Sequence, residues 1–150
     1  MTPTPIIRRI LVAHDFSETA EAALAYAMGL AKTLGATLTV VHAYDVPTHG
    51  APEVLVLATD WPKQFEVVAR EALEKVIARL QKDGFSAESA LRKGVAWREI
   101  IATAEQTKAD LVVVGTEGRT GVPRLLLGSV AEKVVRTAPC PVLVVPRGAR

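Results

Sequence analysis

The sequence concentrates its chemistry in one stretch, Gly115-Thr116-Glu117-Gly118-Arg119-Thr120-Gly121-Val122-Pro123-Arg124-Leu125-Leu126-Leu127-Gly128-Ser129. It follows the apolar run Leu111-Val112-Val113-Val114 and precedes an amphipathic segment from Ser129 to Arg136, so it reads as strand, glycine-rich loop and helix. Glycines let a backbone turn and approach a ligand, and the first N–H groups of a helix have no intrahelical acceptor, so they face an anion readily. Ser129 adds a hydroxyl at that terminus. Such a loop holds phosphate with amides rather than with cations. The P-loop pattern G-x-x-x-x-G-K-[ST] is absent, since no lysine adjoins these glycines, and so is the dinucleotide fingerprint G-x-G-x-x-G. Ser129 with Glu132 also fits an S-x-x-E capping box, which would use one or two amides and leave the others for a ligand.

A second group of polar residues closes the first apolar run, in Ile10-Leu11-Val12-Ala13-His14-Asp15. Asp15 fits a helix cap, with Glu18 completing D-x-x-E, and it equally fits a ligand contact. His14 and His42 each follow a strand and could begin a metal site, but no second carboxylate or thiol stands at ligand spacing. Lining a pocket or hydrogen bonding is the expected role for both. Arg8, Arg9, Arg147 and Arg150 read as solvated ends, and Arg119 and Arg124 as weak neutralisers of phosphate.

The elements that position these groups follow from apolar spacing. Strands are expected at 10–13, 38–41, 86–92, 111–114 and 142–145, and helices at 17–34, about 63–82, about 97–107 and 129–136. The strands are continuous apolar runs rather than alternating ones, which means burial on both faces, a parallel sheet and helices on each side. Right-handed crossovers then give a doubly wound α/β sandwich. In such a sheet Cys140 lies at the opposite edge from His14 and His42, which excludes a Cys–His pair. Between Pro139 and Pro141 it reads as a small buried hydrophobe.

Gly115-x2-Gly118-x9-Gly128-Ser129, between a valine-rich strand and Val130-Ala131-Glu132-Lys133-Val134, resembles the nucleotide-binding signature of the universal stress protein family. Ile10 to Ser17, Val40-Val41-His42-Ala43 and Cys140-Pro141-Val142-Leu143-Val144-Val145-Pro146 are similar to that family too, so the resemblance runs from about Ile7 to Pro146. Members carrying the G-2x-G-9x-G-[S/T] motif bind ATP, and this chain resembles them. The resemblance implies a single domain over 1–150, with a variable insert at about 46–61. It implies an open five-stranded parallel sheet of order 3-2-1-4-5, Rossmann-like and of the adenine nucleotide alpha hydrolase-like type. It places Asp15 by the ribose, the backbone of Ala43 at the adenine edge, and Gly115, Gly118, Gly128, Ser129 and Val130 around the phosphates, with Ala13 and Val114 beside them. That strand order puts the switch point between strands one and four, where open α/β sheets bind ligands independently of family. Two residues depart from the pattern. His14 stands where small or hydroxyl residues are usual, and Glu117 stands inside G-2x-G, where a carboxylate on a wet loop is expected to weaken a triphosphate.

Composition bounds the function. The chain has 150 residues, 49% hydrophobic and 23% charged, with 18 Lys and Arg against 16 Asp and Glu for a net charge of +2. That is a globular balance without the basic density of a nucleic-acid or acidic-membrane binder. No apolar run approaches the roughly 18 residues that cross a bilayer. The opening Met1-Thr2-Pro3-Thr4-Pro5 lacks signal-peptide order, and the single cysteine cannot make an internal disulfide. A cytoplasmic protein with no nucleic-acid or membrane partner is expected.

With the family resemblance, this gives a nucleotide-dependent regulatory module for stress response, binding ATP (AMP or ADP as alternatives) with Mg²⁺ arriving on the phosphate oxygens. The loop shows no general base and no Walker lysine, which argues against fast phosphoryl transfer. Two rivals stand beside it: a slow ATPase or nucleotide-transferring enzyme on the same fold, and a dimerisation module with an empty pocket. A homodimer through Val142–Val145 is expected, because that apolar run falls on a sheet edge. The apolar insert around Glu53 to Trp61 fits a lid, a partner contact or a short core helix.

Overall fold

Ile10, Leu11 and Val12 are three consecutive apolar residues, and all are at most 1% exposed. A strand points successive side chains to opposite faces, so this sheet must be covered twice. A computed structural model, described over residues 2–46, 60–117 and 127–150, shows how. The strands β1 (Arg9–Ala13), β2 (Thr37–Tyr44), β3 (Ala87–Lys93), β4 (Leu111–Gly115) and β5 (Val142–Val145) form a five-stranded sheet in the order β3-β2-β1-β4-β5. Every neighbouring pair is parallel.

Helices α1 (Glu18–Leu34) and α2 (Trp61–Lys82) cover one face, with Leu24, Ala27, Leu73, Val76 and Leu80 packed on Ile10, Val12, Leu38, Val40 and Val113. Helices α3 (Ala96–Thr107) and α4 (Ser129–Thr137) cover the other, with Ile100, Ala104, Ala131 and Val134 on Leu11, Val41, Val112 and Val114. The odd and even residues of β1 therefore serve different cores, as the continuous apolar runs predict. The edge strand β3 buries only Ala87 and Ala90, in keeping with its sparse apolar content.

Local details set where the site falls. Strand β2 runs on to Tyr44, three residues past the expected end, so Ala43 is paired with Arg92 inside the ladder. The side chain of Asp110 accepts the N–H groups of both Arg8 and Arg9 at 2.9 Å, which ties the start of β1 to the start of β4. These backbone donors, Arg8 first, hold its carboxyl below the usual aspartate value despite some opposing desolvation. Helix α2 begins at Trp61 with Pro62 in its first turn rather than at Lys63. Val46 is buried at the end of β2, while residues 47–59, the body of the expected insert, lie outside the described residues. No helix among the described residues is long and apolar enough to cross a membrane.

Candidate functional site

Strand β1 leads to α1 on one face of the sheet and β4 leads towards α4 on the other. Two adjacent strands whose connections part in this way leave a crevice at their C-terminal ends. A cleft opens there, and eight of the nine residues singled out from the sequence line it: Ala13, Asp15, Ala43, Val114, Gly115, Gly128, Ser129 and Val130. The ninth, Gly118, lies outside the described residues, as do Arg119 and Arg124. Val41, Ala96, Ile100 and Ala131 complete an apolar wall, and His14, Thr116 and Glu117 supply the remaining polar lining.

The N-terminus of α4 forms one end of the cleft. The N–H of Glu132 donates to the carbonyl of Gly128 at 2.9 Å, which makes Gly128 the N-cap and leaves the amides of Ser129, Val130 and Ala131 without intrahelical acceptors. The expected capping box is not formed. Ser129 is already the first helical residue, so its hydroxyl sits one position too late to cap, and no side-chain cap bond is present. At Asp15 the expected D-x-x-E cap is likewise displaced. Ser17 is the N-cap of α1 and its Oγ accepts from the N–H of Ala20 at 3.1 Å. Asp15 stands behind it, accepting from both the N–H and the hydroxyl of Ser17, an Asx-turn that fixes the approach to the helix.

The glycines at 115 and 128 serve close packing within the protein. A Cβ on Gly115 would stand 2.6 Å from Thr19 Cγ2 and 3.1 Å from the Thr19 carbonyl oxygen, where the first turn of α1 crosses the end of β4. One on Gly128 would stand 2.9 Å from the carbonyl oxygen of Thr116, the same oxygen that accepts the Gly128 N–H at 2.6 Å. Sequence reasoning placed both at the site and gave room for a ligand as the reason. The geometry shows that they let two protein segments touch.

Glu117 departs furthest from expectation. It is buried, 8% exposed, and its Oε1 meets Arg147 Nε at 3.1 Å. The wet carboxylate expected on the loop is instead a buried ion pair with the segment following β5. Arg147, read as a solvated end, keeps half its side-chain surface in water while its Nε makes this contact.

On the opposite side, Phe16 adopts φ +65°, a left-handed conformation that a non-glycine residue enters only under constraint. Its N–H donates to His14 Nδ1 at 3.1 Å, and its ring packs 5.2 Å from that of His14 and 4.5 Å from that of His42. His14 Nε2 meets Glu21 Oε1 at 3.2 Å, and Glu21 is also bound by Arg79. Burial pushes the His14 imidazole below its usual 6.5, with Arg79 adding to that and Glu21 and Asp15 opposing it. His42 donates its Nδ1 proton to the His14 carbonyl at 2.7 Å. Among the described residues no three metal-ligating side chains are gathered. Cys140 is half-buried against the α3/α4 core, and burial raises its thiol pKa. Nothing in the sequence marked Phe16, Ala96 or Ile100 as site residues, because their place depends on a turn conformation and on the register of α3.

Residues 7–146 match the Universal stress protein family. A universal stress protein of Methanocaldococcus jannaschii is 36% identical over 146 residues, covering 95% of this chain and 84% of that protein. Among solved structures, the universal stress protein UspA from Lactobacillus plantarum superposes with a TM-score of 0.80 at 25% identity, over 95% of this chain and 99% of that one. Two further universal stress protein structures hold nucleotides. One is in complex with cAMP (TM-score 0.68, 25% identity, 95% of this chain and 99% of that one). The other, from Archaeoglobus fulgidus, is in complex with dAMP (TM-score 0.64, 26% identity, 93% and 98%). With the fold, the switch-point cleft and this extent of identity in agreement, the chain belongs to the universal stress protein family.

Proposed function

We propose that the chain binds an adenine nucleotide, ATP foremost, in the cleft between the ends of β1 and β4, and acts as a nucleotide-dependent regulatory module in stress response. The observation that carries this is the donor set at one end of that cleft: three N-terminal amides of α4 and the Ser129 hydroxyl beside an apolar wall. Amides at a helix terminus suit phosphate. Val41, Ile100 and Val114 suit the faces of a base, the backbone of Ala43 its edge, and Asp15 is an acceptor for ribose hydroxyls. Relatives held with cAMP and dAMP support an adenine ligand. In this reading Mg²⁺ comes in on the phosphate oxygens of ATP, and the nine residues singled out above, Gly118 included, surround the nucleotide. Denaturing freshly purified protein and analysing the supernatant by chromatography should release adenine nucleotide. Calorimetric titration should favour ATP over GTP, and equal affinity for both would overturn the adenine pose.

Among the described residues the cleft lining has no lysine or arginine, and the Arg147 guanidinium that reaches its wall is paired with Glu117, an arrangement that favours binding over turnover. Absence of product after hours with ATP supports the regulatory reading, and steady release of ADP would favour the slow enzyme. The proposed assembly is a homodimer through β5, in the cytoplasm. A released nucleotide count of zero, with an intact dimer, would leave the purely structural module.

A further inference from the structure

We propose that His14 is a positioning residue for the cleft, a neutral imidazole latch that holds the β1–α1 turn in its binding shape and lets go when protonated. The inference rests on the nucleotide reading for its ligand and on the hydrogen bonds of His14 for its action.

The residue is fixed from several sides. Its N–H donates to the Val41 carbonyl at 2.9 Å, its own carbonyl takes the Nδ1 proton of His42, and its side chain has 0% exposure. The N–H of Phe16 can only donate, so Nδ1 must be the acceptor in their 3.1 Å bond. The proton of the neutral ring therefore sits on Nε2, facing Glu21 Oε1. A second proton has to go to Nδ1. There it would confront the Phe16 N–H, two donors without an acceptor, and the bond would be lost.

That bond holds a strained turn in place. Phe16 holds φ +65° through this contact and through the packing of its ring between His14 and His42. Asp15, which lines the cleft, lies between the two residues that the latch joins, so freeing Phe16 moves the Asp15 carboxylate. The charged and titratable groups facing the ring are Glu21 from α1, Asp15 from the turn and Arg79 from α2, with His42 of β2 across Phe16. Burial outweighs the two carboxylates and keeps the ring neutral to below its usual 6.5, so the latch is closed at neutral pH and opens only as the pH falls below that value.

The test uses the full chain. Nitrogen-15 NMR of the ligand-free protein between about pH 7.5 and pH 5 spans the ordinary histidine range. The His14 Nδ1 signal should change from acceptor to N–H below about pH 6.5, with the Phe16 amide moving at the same midpoint. Calorimetric titration with cAMP, whose phosphodiester keeps one charge over this range, should show affinity falling through that midpoint. His14→Asn supplies an oxygen acceptor that does not titrate. It should bind cAMP about three- to tenfold more tightly than His14→Leu at pH 7.5, the worth of one hydrogen bond, and show no fall in acid. A Phe16 amide that ignores the titration of His14, or an acid fall that persists in His14→Asn, would overturn the proposal. Wild-type protein that binds no adenine nucleotide at any pH would refute the nucleotide reading alone, since the ligand-free NMR decides the latch separately.

Discussion

Thr19 is 1% exposed, and its hydroxyl has no hydrogen-bond partner among the described residues. A buried hydroxyl left unpaired costs about 1–3 kcal/mol relative to a paired one. Its methyl group, by contrast, is fitted against the position where Gly115 has no side chain. Thr19→Val keeps that shape and removes the orphan oxygen, so it should raise stability by about 1 kcal/mol, read as a higher urea midpoint at unchanged slope. A loss of stability would mean that the hydroxyl has a partner. The Glu117–Arg147 pair gives a second residue-scale expectation, of opposite sign for its two members. Glu117→Gln removes a carboxylate from the cleft wall and frees a guanidinium, and should tighten ATP by roughly two- to fivefold at low salt, less at high salt. Arg147→Ala leaves the carboxylate, 6% exposed, without its cation. It should weaken ATP and destabilise the fold by about 1–3 kcal/mol, below the usual cost of a broken buried pair because Arg147 is half in water. Calorimetry with ATP, and with adenosine as the uncharged control, distinguishes the two.

Between elements, what matters is how closely they approach. Helix α1 passes the end of β4 so tightly that only glycine fits at 115. Gly115→Ala should push the helix away and cost about 1–3 kcal/mol, the usual range for overpacking, with loss of nucleotide binding alongside. Chemical denaturation checks the first and calorimetry the second. Gly128→Ala tests a different joint, since its Cβ would press on the Thr116 carbonyl and strain the Gly128–Thr116 bond. Most of this architecture was legible in the sequence. Ile10 to Ala13 and Leu111 to Val114 are apolar without alternation, and that alone requires a sheet covered on both sides. Gly35 at φ +66° closes α1 where the sequence stops it. The caps were misread because Asp15, Ser17 and Ser129 are all good cap residues, and periodicity cannot say which one stands just before the first helical residue. Glu117 was misread because its partner lies thirty residues on, beyond β5, and spacing along a chain says nothing about a contact made across a sheet.

For the whole molecule, pH and assembly are the open variables. Because the folded His14 has its pKa lowered, the unfolded chain binds more protons at and just below pH 6.5. Stability therefore rises with pH through that window and is lost as pH falls from about 6.5 towards the folded pKa, by at most about 1.4 kcal/mol per pH unit for one proton. Urea midpoints at pH 7.5 and 5.5 should differ for the wild type more than for His14→Asn.

Assembly depends on which way β5 turns its backbone. The N–H of Val112 donates to the Pro141 carbonyl and that of Thr116 to the Val145 carbonyl, so the odd-numbered residues of β5 face β4. In a strand the N–H and C=O of one residue point the same way, which turns those of Val142 and Val144 to the side of the sheet where no further strand stands among the described residues. An edge of this kind invites pairing with a second copy across a two-fold axis. Proline is tolerated on an edge strand wherever its missing N–H would face solvent. Val144→Pro should therefore leave the fold intact by circular dichroism and convert the proposed dimer to a monomer by light scattering at micromolar concentration, while Leu143→Pro, which removes a donor to β4, should destabilise the fold itself. A wild-type monomer, or a dimer that survives Val144→Pro, would place the subunit contact elsewhere, with the exposed Val67 and Val68 of α2 the next surface to test.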